Sequence, residues 1–166
     1  MDTQLLRRAL DLLETVTPLE TNCGLLCSGA CCRPDEDGQG GVLLFPGERA
    51  LLESESWLRV VPAPVKVNGV DYGMMLCDGT CERAMRPLGC RIFPLTPVLR
   101  GDRWNVRLDR RAWAMCPLME HGIRGLSAEF VRTVCKAVNL IGSDPEGREF
   151  LLAWERAEAE YGRPLF

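Results

Sequence analysis

The chain has 166 residues, 46% of them hydrophobic and 26% charged, with a net charge of −3. Those values fit one globular domain spanning 1–166; they exclude a long disordered chain and a nucleic-acid binder relying on bulk positive charge. The abnormal value is nine cysteines, which at this length need a chemical reason.

Residues 3–16 read as a helix. Leu5, Ala9, Leu12, Leu13 and Val16 share one face, Asp2 is placed to cap the start, and Thr17-Pro18 to stop it. Residues 21–41 read as a cysteine- and glycine-rich loop ending in the acidic turn Asp35-Glu36-Asp37-Gly38. Val42–Phe45 reads as a short strand, and Pro46-Gly47-Glu48 opens a helix to about Glu55. From Trp57 to Leu76, β-branched residues, prolines and Asn68-Gly69 predict strands joined by a hairpin turn. Residues 77–94 are again rich in cysteine and turn residues.

Further on, Trp104, Val106 and Leu108 alternate with Asn105, Arg107 and Asp109, the pattern of a half-buried strand. Two helices close the chain. Ser127 caps the first, with the stripe Phe130, Val131, Val134, Cys135 and Val138, ending at Gly142. Ser143 and Glu146 are spaced as a capping box for the second, with Pro145 in its first turn, the stripe Phe150, Leu151, Trp154, Ala157 and Tyr161, and Gly162 at its close. The expected class is α+β: a small single domain with terminal helices packed on short strands and irregular cysteine loops between.

Eight cysteines fall into two groups. The first is Cys23, Cys27, Cys31 and Cys32; the second is Cys77, Cys81, Cys90 and Cys116. Three intervening residues put two sulfurs on one face of a turn, close enough to share an ion, and such gaps occur in zinc pairs. These eight lie in loops where no apolar periodicity calls for a hydrophobe, whereas Cys135 sits on a helix stripe and reads as a small core residue. The opening residues lack the basic-then-apolar pattern of a secretory signal, and no apolar run is long enough to span a membrane. The expected home is therefore cytoplasmic, where thiols stay reduced unless they hold metal or do redox work.

The run Cys23 to Cys32, with Cys77, Cys81 and the segment Arg86-Pro87-Leu88-Gly89-Cys90-Arg91-Ile92-Phe93-Pro94, resembles the YkgJ-type family of zinc- or iron-chelating proteins. The likeness covers residues 23–116, and the first run departs from the family pattern by having three spacers in both gaps. It implies a metal-chelating protein and no particular reaction. All-thiolate sites suit zinc or an iron–sulfur cluster. Zinc, with two ions shared by the eight thiolates, is favoured by the three-residue gaps and by the absence of a ferredoxin-type run. An iron–sulfur cluster with redox or catalytic activity is the alternative, favoured by the Cys31-Cys32 doublet. Adjacent side chains usually diverge, so Cys31 and Cys32 are expected to serve different ions and to draw in the second group.

The remaining features carry less. His121, the single histidine, reads as a surface residue in the turn His121-Gly122. Gly38-Gln39-Gly40-Gly41 follows an acidic turn and not a strand, so it is no phosphate cradle. Arg100, Arg103, Arg107, Arg110 and Arg111, with Trp104 and Trp113, are interrupted by Asp102 and Asp109, and a nucleic-acid partner is not expected. Arg33, Arg83, Arg86 and Arg91 lie beside cysteines and are candidates to donate to sulfur. Metal ions are the expected partners; no catalytic residue, substrate or protein partner is legible.

Overall fold

The computed structural model describes residues 1–33, 41–52, 58–63, 66–77 and 82–161, the side chains of Leu58, Cys77 and Tyr161 excepted. The acidic turn at 35–38, Trp57, Cys81 and Gly162 lie outside the described residues.

Helix α1 (Thr3–Leu12) begins where Asp2 accepts the Gln4 N–H at 2.8 Å. It buries Leu6 and Ala9, with Leu13 just beyond its end, while Leu12 is exposed. The helix is therefore shorter than its apolar pattern predicts. Its last carbonyls are taken by two arginines from a distant segment. Arg83 donates to Leu13, Glu14 and Val16, and Arg91 reaches Leu10 at 2.9 Å. Carbonyls orphaned at a helix C-terminus need such donors, and here they fasten the 83–91 segment to α1.

The expected loop at 21–33 contains a one-turn helix, α2 (Gly24–Cys27), and a 3₁₀ turn at Ala30–Cys32. Strand β1 (Val42–Leu43) leads to α3 (Glu48–Leu52). Strands β2 (Leu58–Val61) and β3 (Met74–Cys77) pair antiparallel, Val61 opposite Met74, and β3 is the centre of a three-stranded sheet with β1. Asn68-Gly69 does turn the chain, both with positive φ, but it closes only the single bridge Val67–Val70 inside the β2–β3 connection.

Helix α4 (Leu88–Ile92) occupies part of the expected turn region. Strand β4 (Leu95–Arg100), which the sequence reading missed, pairs with β5 (Arg103–Leu108). The alternation in β5 holds for Trp104 and Val106, which are buried, and for Asn105, which is exposed. Asp109 is buried; it accepts the Arg111 N–H at 2.9 Å and so caps the 3₁₀ turn Arg110–Ala114. A second 3₁₀ stretch, Pro117–Gly125, precedes α5 (Ala128–Ile141) and α6 (Pro145–Tyr161).

Ser127 caps α5 as expected, accepting from Phe130 N at 3.4 Å. For α6 the cap is Asp144, which accepts from Gly147 N at 2.9 Å; Ser143 donates back to Leu140, and Glu146 accepts from Tyr72. Asp outcompetes Ser here because a carboxylate also gains from the helix dipole.

One core joins α1, α5, α6 and the β4–β5 hairpin, with Leu6, Leu95, Trp104, Phe130, Val134, Val138, Phe150 and Trp154 all buried. Phe45 enters it from the loop after β1, 4.7 Å from the Phe150 ring centroid and 5.3 Å from Trp154. Gly142 ends α5 where the Trp104 indole packs: a Cβ there would stand 2.2 Å from Nε1. Asn139 on α5 accepts from Trp104 N at 3.1 Å and donates to its carbonyl at 2.6 Å, along the free edge of β5. Among the described residues no helix is long and apolar enough to cross a membrane. The chain is a small α+β domain.

Candidate metal centre

None of residues 20–33 is buried. Apart from Cys23, which packs against the core edge, the segment is held by local backbone bonds such as Gly29 N to Gly24 O at 3.0 Å and Cys32 N to Gly29 O at 2.8 Å. Between these bonds Ser28 and Gly29 both adopt positive φ, 50° and 69°. Two consecutive left-handed residues reverse the chain, and the Cys31 thiol comes within electrostatic reach of Cys23 and Cys27.

Cys116 arrives from the other half of the chain. Its position is set by the Arg110–Ala114 turn, which Arg111 ties down by pairing with Asp109 at 2.6 Å and with Glu158 of α6 at 2.9 Å. Cys23 and Cys116 both pack against the edge of the main core.

The five thiols interact. Burial pushes the Cys23 thiol up, and the neighbouring Cys27 and Cys116 add to this; Arg86 opposes it. Cys116 is raised by burial and then by Cys27. Cys23, Cys27 and Cys116 thus interact electrostatically in all three pairings. Cys31 donates a hydrogen bond to Cys32, which raises its own pKa, and it also faces Cys27 and Cys23. Cys32 is lowered to about 6 by that hydrogen bond, with help from Arg86. The expectation that adjacent thiols diverge fails for this reason: in a 3₁₀ turn both sulfurs can swing to the same side and bond to one another.

Of the four arginines expected to serve sulfur, Arg86 acts electrostatically on Cys23 and Cys32, and Arg83 interacts with Cys23. Arg33 donates to the Ser28 carbonyl, Arg83 also donates to the carbonyls already named, and Arg91 to those of Leu10, Arg86 and Ala84. Arg86 also lines an open cleft of about 210 Å³ between α1, α3 and the 84–91 segment. At the side of that cleft Glu48 is fully buried, accepting from Phe45 N at 2.7 Å and Leu88 N at 2.6 Å. Glu48 was not singled out in the sequence; its place just after Pro46-Gly47, at the head of a helix, is the signal that could have found it.

The second group is only partly visible. Cys77 ends β3, Cys90 is half-buried in α4, and Cys81 lies outside the described residues. His121 is exposed in the 117–125 stretch, as expected. Cys135 is half-buried: it packs against the core, and its thiol donates to Asn105 Oδ1 at 3.9 Å. Trp113, 64% exposed, and Leu25, 80% exposed, flank Cys116 and Cys23–Cys27. Among the described residues no three His, Cys, Asp or Glu side chains stand at metal-holding separation.

The donor set nonetheless suits a soft divalent ion or a cluster. It consists of thiols alone, one hydrogen-bonded pair among them, with a guanidinium to offset thiolate charge. Compared with known proteins, the chain matches no family model, no curated protein and no solved structure.

Proposed function

We propose that this is a metal-binding protein that holds zinc through cysteine thiolates, with a structural or metal-handling role. One observation carries the reading: the Cys23, Cys27 and Cys116 thiols, from opposite halves of the chain, are near enough to interact electrostatically, and Cys31 feels Cys27 and Cys23 as well. Thiols gathered this way repel one another once ionised. A cation is the simplest thing that makes the gathering favourable. The 20–33 segment, with only Cys23 packed on the core edge, supports a structural contribution, since coordination free energy becomes folding free energy where burial supplies little.

Cys77, Cys81 and Cys90 are proposed to contribute ligands to a second ion. The likeness of the Arg86–Pro94 segment to YkgJ-type proteins points the same way, and a reduced, cytoplasmic setting is proposed with it.

The test is to purify the chain without oxygen, measure its metal and record its absorption. Colourless protein containing zinc is the expected result. Brown protein with iron and sulfide would replace zinc with an iron–sulfur cluster, and a chain that takes up neither metal would overturn the reading. Stripping zinc with a strong chelator should lower the melting temperature and loosen 20–33; an unchanged melt after verified removal would exclude the structural role.

A further inference from the structure

The cleft between α1, α3 and the 84–91 segment has walls that are fastened to one another. Arg91 ties α1 to the 84–91 segment, donating to Leu10 O at 2.9 Å, Arg86 O at 2.7 Å and Ala84 O at 2.6 Å. Glu48 ties α3 to α4 through the N–H groups of Phe45 and Leu88. A cleft braced this way is formed before any ligand arrives, which spares the ordering cost of binding. Its volume of about 210 Å³ is roughly that of seven waters in the liquid, room for a small molecule.

The lining carries more positive charge than it neutralises. Arg7, Arg86 and Arg91 face the cleft, and Arg83 stands close enough to Arg86 and Arg91 to repel both. The carboxyls set against these four guanidinium groups are Asp11, Glu14 and Glu48. Glu48 has both oxygens on backbone N–H groups, and burial pushes its pKa up to about 7, so it offsets the positive charge only in part. Arg83 and Arg91 bond to backbone carbonyls and contribute their charge. The exposed Arg7 guanidinium has no hydrogen-bond or ion-pair partner among the described residues. Beside these groups Leu51, Leu52 and Met85 supply an apolar wall.

We infer that this cleft binds a small organic anion, its oxyanion head toward Arg7 and Arg86 and a short apolar tail against Leu51, Leu52 and Met85. The inference is separate from the metal reading and stands or falls without it. A guanidinium fork matches the oxygens of a carboxylate or a phosphate, and an anion placed here relieves the mutual repulsion of Arg83, Arg86 and Arg91. An inorganic anion would answer the charge alone; the apolar wall adds a preference for a carbon tail. Asp11 and Glu14, further along the chain from Arg7 and also in the lining, repel a second negative group. The fitting guest is therefore charged at one end only.

The experiment uses the full chain labelled with nitrogen-15. Backbone amide shifts are followed while butyrate, butyl phosphate, inorganic phosphate or butylamine is added at fixed ionic strength. Butyrate or butyl phosphate should bind in the millimolar range expected of so small a ligand, about tenfold more tightly than inorganic phosphate. Binding should shift the amides of Leu10, Leu51 and Met85 and leave that of Arg103 in the β4–β5 hairpin in place. The tighter of the two butyl anions identifies the head as carboxylate or phosphate, and butylamine should shift none of these amides. Arg7→Gln should weaken binding about fivefold and Arg86→Gln about tenfold. Because Arg86 also acts on the thiols and its loss can upset the fold, Ala84→Glu is the second variant. Ala84 is exposed in the lining, and a carboxylate there should weaken binding about fivefold with the rest of the spectrum intact. Absence of shifts with both butyl anions, shifts that spread equally to Arg103, butylamine or inorganic phosphate binding as tightly, or wild-type affinity in both Arg7→Gln and Ala84→Glu would each overturn the inference.

Discussion

Replacing Glu48 by glutamine tests how one buried carboxylate holds two helices. Its oxygens accept N–H groups from Phe45, 2.7 Å away at the start of α3, and from Leu88, 2.6 Å away at the start of α4. Burial nonetheless raises its pKa from 4.5 to about 7, although both hydrogen bonds and nearby Arg91 favour the ionised form. A raised folded-state pKa means that the native chain binds the proton more tightly than the unfolded one. The resulting stabilisation is fully present below the unfolded pKa and is lost as pH rises through 7. Integrated between pH 5 and pH 8, the shift amounts to about 2–3 kcal/mol. In Glu48→Gln the amide oxygen can replace one acceptor, but its NH₂ meets an N–H donor, so the variant should lose about 1–3 kcal/mol at acidic pH. Urea denaturation of both proteins across that range measures the difference while other titrating groups cancel. Wild type's advantage over Glu48→Gln should shrink by about 2–3 kcal/mol from pH 5 to pH 8. A constant gap would show that the two N–H donors and Arg91 outweigh burial and hold the carboxyl at its ordinary value.

Two further outcomes follow from the same contacts. Arg83→Met strips donors from the Leu13, Glu14 and Val16 carbonyls and should cost about 2–4 kcal/mol by denaturant midpoint, with Arg83→Lys intermediate; an unchanged midpoint would mean water replaces the guanidinium without loss. Cys135→Ala removes a half-buried sulfur packed against the core and should cost about 1 kcal/mol while leaving metal content unchanged, so a lower metal content would make Cys135 a ligand.

What was legible in the sequence was whatever depends on periodicity and local caps. Asp2 and Ser127 begin helices where expected, and Trp104 and Val106 face the core as their alternation requires. The failures have physical causes. Strand β4 reads Leu-Thr-Pro-Val-Leu-Arg, where proline at 97 hides a strand; proline is tolerated there because the sheet has only two strands. Helix α4 is five residues long, too short for periodicity, and it stands because Glu48 takes its Leu88 N–H. At the centre, residue type and spacing marked out the thiols. Spacing said nothing of the left-handed pair Ser28-Gly29 that folds the doublet back, nor of the pairing with Asp109 and Glu158 that anchors Arg111 near Cys116.

The β4–β5 hairpin ends in side chains, and this decides how the molecule meets its own copies. On one margin Asn139 reads both backbone groups of Trp104; on the other, Glu155 accepts the Leu99 N–H at 3.3 Å. A bare two-stranded ribbon offers two templates for strand addition, the usual start of edge-to-edge aggregation and strand swapping. Here α5 and α6 occupy those template positions with an amide and a carboxylate, neither of which can propagate a ladder. The hairpin is thereby held to two strands, and a crowded solution of folded chains has no β-edge at these positions on which to polymerise.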